Sequence, residues 1–134
     1  MSNFLFRILL VCTFAIVPNI SSAQSANAGE TLKGKIGPYA ITMHLDLYGG
    51  KEGQFIGTYF YNDRPQNKFR LKLVKMEVIN LHGSMNVVLK EYAPNGKQTG
   101  TFNGQYEGRG SYYEGTFTNN QGKKYKFELE GMTD

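Results

Sequence analysis

From Tyr39 to Tyr48 the chain alternates, with Ile41, Met43, Leu45 and Leu47 on one face and Thr42, His44 and Asp46 on the other. A two-residue period is that of a half-buried strand. It recurs over Lys68–Met76, where Phe69, Leu71 and Leu73 oppose Lys68, Arg70 and Lys72. It returns in Ser84–Tyr92 with Met85, Val87 and Leu89, and in Lys123–Leu129 with Tyr125, Phe127 and Leu129. Between the alternating runs stand Gly37-Pro38, Gly49–Gly53, Asn62–Asn67, Pro94-Asn95-Gly96, Gly108-Arg109-Gly110 and Asn119–Gly122, all turn-forming by composition. The spacing predicts further strands over Thr31–Ile36, Gln54–Tyr61, Gln98–Glu107 and Ser111–Thr118, a break or bulge near Glu77, and a short apolar stretch Val78–Leu81 ending at His82-Gly83. No segment carries a helical period.

Three of these strands spell aromatic-x-Gly-x-aromatic: Phe55-x-Gly57-x-Tyr59, Phe102-x-Gly104-x-Tyr106 and Tyr113-x-Gly115-x-Phe117. In a strand each triplet places a glycine between two rings on one face, a device of tightly curved sheet. The short connections forbid parallel crossovers. The fold class expected is therefore all-β: an antiparallel up-and-down meander of seven or eight strands forming a small closed or nearly closed barrel, with a sandwich as the rival arrangement. Closure removes exposed edges.

The first segment changes the picture of where the protein works. Arg7 precedes an apolar run from Ile8 to Val17, and Ser21-Ser22-Ala23 ends it with small residues. This is the pattern of a signal peptide cleaved after Ala23, which implies a periplasmic or secreted protein. The run is shorter than the roughly 20 residues of a membrane-spanning helix, and Pro18-Asn19 interrupts it. Cys12 is a poor lipid-anchor site, because bulky Val11 precedes it. Residues 24–30 read as a flexible leader and 31–131 as a single barrel domain. Cys12 is the sole cysteine, so the mature chain has no disulfide despite an oxidising address. Loss of Arg7 lowers the net charge from +4 to +3, a weak bias toward acidic partners.

Material for chemistry is thin. His44 and Asp46 share the polar face of one strand, but no third ligand follows at metal-site spacing. His82-Gly83-Ser84 lacks the geometry of an activated serine, and Glu107, Glu114, Glu128 and Glu130 lack the cleft that paired catalytic carboxylates require. No enzyme activity, catalytic residue, metal or cofactor is expected. The basic stripe of Lys68, Arg70 and Lys72, with Lys123, Lys124 and Lys126 adding charge elsewhere, could meet an acidic enzyme, a cell-wall polymer or lipid head groups; the favoured reading is a solvated face whose cations discourage edge pairing.

The Gly-Thr-Tyr, Gly-Gln-Tyr and Gly-Thr-Phe strings resemble the glycine-aromatic steps of avidin and streptavidin barrels, a likeness of architecture. The chain has no tryptophan, so the part of that pattern that holds biotin is missing. A closer resemblance is to a group of small exported bacterial proteins sharing a Gly-Lys-Ile-Gly-x-Tyr-x-Ile-x-Met-x-Leu opening, here Gly34–Leu45. It continues through Gly57–Tyr61, Leu89-Lys90-Glu91, Thr99–Phe102 and Gly115-Thr116-Phe117. Tyr106-Glu107-Gly108 and Tyr113-Glu114-Gly115 also resemble MORN repeats, but they stand 7 residues apart with no further copy.

The expected function is binding without catalysis, by docking or inhibiting a protein partner such as a cell-wall-targeting enzyme. Loops on a rigid scaffold are the usual carriers of such contacts, here Asp63, Arg64 and Pro65 with Asn95 and Lys97. The alternative is a carrier of a small apolar ligand, its interior lined by Tyr59, Tyr61, Phe102 and Phe117. Ile56, Phe60, Val88 and Tyr92 are assigned outward, where clustering would make a homodimer contact. Neither nucleic acid nor a stable membrane anchor is expected.

Overall fold

In a computed structural model, which describes residues 29–108 and 111–132, eight strands follow one another. They are β1 (Glu30–Ile36), β2 (Tyr39–Leu45), β3 (Phe55–Tyr61), β4 (Phe69–Val78), β5 (Ser84–Tyr92), β6 (Gln98–Glu107), β7 (Tyr112–Asn119) and β8 (Lys124–Gly131). Each pairs antiparallel with the next, and β1 pairs with β8 from Leu32↔Gly131 to Ile36↔Phe127, closing the barrel. The meander puts the β1–β2, β3–β4, β5–β6 and β7–β8 connections at one mouth. The chain ends of the barrel and the other three connections lie at the opposite mouth. The signal segment and the leader as far as residue 28 lie outside the described residues.

Alternation decides what is buried. Ile41, Met43 and Leu45 of β2, Leu71 and Leu73 of β4, Val87 and Leu89 of β5, and Phe127 and Leu129 of β8 all point inward and are almost wholly enclosed. The rings pack along the interior: Tyr59 stacks on Phe69 at 5.1 Å and meets Phe102 edge-on at 5.4 Å, and Phe102 is tilted against Phe117 at 4.8 Å and edge-on to Phe127 at 5.1 Å. Phe127 in turn meets Tyr113 at 4.8 Å. Gly104 and Gly115 stand opposite each other on β6 and β7. A Cβ on Gly104 would sit 2.1 Å from the Glu114 carbonyl oxygen and 2.8 Å from the Phe127 ring. Only the bare backbone lets these strands curve so closely around that ring.

The alternation expected for the first triplet is broken. Phe55 pairs with Lys72 and Gly57 with Leu71, leaving Ile56 as an extra residue in β3. That bulge turns Ile56 inward, to 7% exposure, and Phe55 outward, to 38%. The expected bulge near Glu77 lies instead between Leu73 and Lys75, with Val74 as the extra residue, and β4 runs on to Val78. Strand β2 stops at Leu45, three residues short of expectation, because Asp46–Gln54 leaves the sheet as a loop, although Leu47 stays buried. Glu30, assigned to the leader, begins β1 and is anchored by the Tyr106 hydroxyl.

Candidate functional site

The three buried tyrosines each set their hydroxyl on an acceptor. Tyr113 donates to the Val87 carbonyl at 2.9 Å, Tyr106 donates to the Glu30 carboxylate, and Tyr59 donates to the Glu91 carboxylate. Glu91 sits on the inward face of β5 at 3% exposure. A bulge in β6 leaves Thr99 unpaired between Gln98 and Gly100, and its hydroxyl reaches Glu91 at 2.5 Å. Burial removes water from the carboxylate and raises its pKa to about 7, with the Thr99 hydrogen bond opposing the rise.

Of the residues assigned to a ligand-lined interior, Tyr59, Phe102 and Phe117 touch one another directly or through a shared ring. Tyr61 is half-buried at the mouth, 5.7 Å from Tyr59, and its pKa is raised by burial against an opposing pull from Arg64. Rings at these separations are in packing contact.

The residues assigned to docking loops share one mouth. Asp63 and Arg64 form an exposed ion pair at 3.7 Å, and Pro65 is exposed beside them. The Asn95 side chain accepts from the Lys97 amide at 2.9 Å, holding the turn at Gly96, whose φ of 89° favours glycine. These loops are polar and locally self-satisfied.

At the other mouth the β4–β5 tip is different. Val78, Ile79 and Leu81 are 69%, 44% and 101% exposed. The tip is nonetheless ordered: Ile79 donates to the Ser84 carbonyl at 2.8 Å, and the Asn80 side chain accepts from the His82 amide at 2.9 Å and the Ser84 amide at 3.3 Å. Sequence reasoning located this apolar stretch but assigned it no role.

A third feature lies on the outer wall. Phe55, turned out by its bulge, meets Tyr92 edge-on at 5.4 Å. The Arg70 guanidinium lies 3.7 Å over the Phe55 ring, and the Lys72 ammonium lies 4.9 Å from both rings. Beside it a groove of about 570 Å³ runs past His44, Asp46, Phe55, Thr58 and Arg70. His44 is engaged with the Thr31 hydroxyl at 2.8 Å, and no third metal-ligating side chain joins it and Asp46 among the described residues. Of the set assigned outward for a subunit contact, Ile56 is in the core, and Tyr92 belongs to this cluster with Phe55.

No protein-family model matches the chain, and no curated protein or solved structure gives a significant match.

Proposed function

We propose that the protein is an exported, non-enzymatic binding module that docks a protein partner, with a cell-wall-targeting enzyme as the class to test first. The observation that carries this reading is the β4–β5 tip. Leaving a leucine wholly in water forgoes roughly 1.5–3 kcal/mol of burial, and this turn holds Leu81 fully out and Ile79 partly out while fixing its backbone with side-chain and main-chain hydrogen bonds. An ordered apolar projection enters a partner's cleft without a further ordering cost. The signal-like first segment supports export. The packed rings weigh against the apolar-carrier alternative, since Tyr59, Phe102 and Phe117 occupy the space between the strands.

The test is inhibition of a purified muramidase clearing a cell-wall suspension, with parallel affinity capture on immobilised protein. Wild type should slow clearance or retain the enzyme in proportion to its concentration. Leu81→Asp should remove the effect, and exchange of Asp63–Pro65 and Asn95–Lys97 for Gly-Ser should leave most of it. Wild-type inhibition that survives Leu81→Asp but not the loop exchange would move the docking surface to the other mouth. No inhibition and no retention would reject this enzyme class.

A further inference from the structure

Where β4 meets β5 the outer wall gathers positive charge that no carboxylate among the described residues pairs with. Arg70 and Lys72 stand two positions apart on β4, about 7 Å along the strand, and exposed Lys68 precedes the strand by one residue. Lys90 stands directly opposite Lys72 in the β4–β5 register. The ion pairs among the described residues join Asp63 to Arg64, Lys75 to Glu77 and Lys126 to Glu128, so Arg70, Lys72 and Lys90 have no carboxylate partner there. Like charges facing each other across strands destabilise a sheet, and a closed barrel has no free edge for these cations to protect. An uncompensated local cost of this kind belongs with binding.

We propose that this wall binds an extended acidic segment of the partner, its alternate carboxylates set over Lys68, Arg70 and Lys72 with Lys90 alongside. The inference rests on the reading that the partner is a protein and adds the chemistry of its contact. An extended peptide repeats its side chains on one face every second residue, at the same spacing as the cations. The aromatic faces argue against nucleic acid. Bases stack on open rings, whereas Arg70 and Lys72 already cover Phe55, and Lys72 also lies over Tyr92. Held against those rings, the two cations are pre-positioned and lose little freedom when a carboxylate arrives.

The experiment is fluorescence anisotropy with a short labelled peptide alternating glutamate and serine. It is competed by the same composition in two blocks, by oligothymidylate and by phosphatidylglycerol vesicles. The alternating peptide should bind in a salt-sensitive way and resist all three competitors. The triple variant R70Q/K72Q/K90Q should weaken binding by about tenfold or more, while K33Q/K35Q/K124Q on the far strands should not. Equal binding by the first triple variant, equal strength of the blocked peptide, or preference for oligothymidylate or vesicles would each overturn the inference. Leu81→Asp leaves these cations intact, so the two readings fail separately. Peptide binding without tip-dependent docking sinks the tip assignment alone, and tip-dependent docking without peptide binding sinks this one alone.

Discussion

Glu91 is the residue on which the barrel's pH response turns. Its folded pKa of about 7 lies above the ordinary 4.5, so between those values the folded state binds more protons than the unfolded chain. Stability contributed by the protonated form is fully present below pH 4.5 and is lost as pH rises through about 7. The shift corresponds to roughly 3 kcal/mol. Urea unfolding of wild type across pH 5 to 8 should show stability falling with pH, and Glu91→Gln should flatten that slope and be the more stable protein at pH 8. A wild-type profile that rises over this range would contradict the burial assigned to the carboxyl. Gly104 gives a second test at this scale. An added Cβ meets backbone oxygen at 2.1 Å, which no rotamer change relieves. Gly104→Ala should therefore cost about 1–3 kcal/mol, read as a lower urea midpoint with an unchanged slope.

At the scale of the strands, much was legible because one face of each had to be dry. The alternation of Ile41, Met43 and Leu45, or of Met85, Val87 and Leu89, leaves a single choice of inward face. The same parity runs on to Glu91, so its inward position was readable; its Tyr59 and Thr99 partners were not, because they depend on register across the barrel. The bulge at Ile56 was hidden, since Phe55 and Ile56 are both apolar and either could serve as the inward residue at the start of β3. The basic–aromatic wall was only half visible, because Phe55 reaches it solely through that bulge. Exposure of Leu81 was equally unreadable, as an apolar run of that length fits a buried strand as well as a tip. Val78 and Leu81 bury little and Ile79 is only half-buried, so replacing Ile79–His82 by Asn-Gly should leave the melting temperature within a few degrees while removing partner binding. A large fall in melting temperature would mean that the tip serves the fold.

For the molecule as a whole, the division of labour follows from closure. Eight strands make a barrel just wide enough for side chains or one small ligand, and here the rings of Tyr59, Phe69, Phe102, Phe117, Phe127 and Tyr113 form a continuous packed column. On the proposed reading recognition falls to the exterior: an apolar tip at one mouth and, beyond the Lys75–Glu77 ion pair toward the start of β4, a cationic wall. Native mass spectrometry of protein purified from an exporting host tests this most directly. The expected result is the bare polypeptide beginning at Gln24, with no bound small molecule under gentle ionisation. A heavier species that releases an apolar ligand on collisional activation would contradict the packed interior and return function to the inside of the barrel.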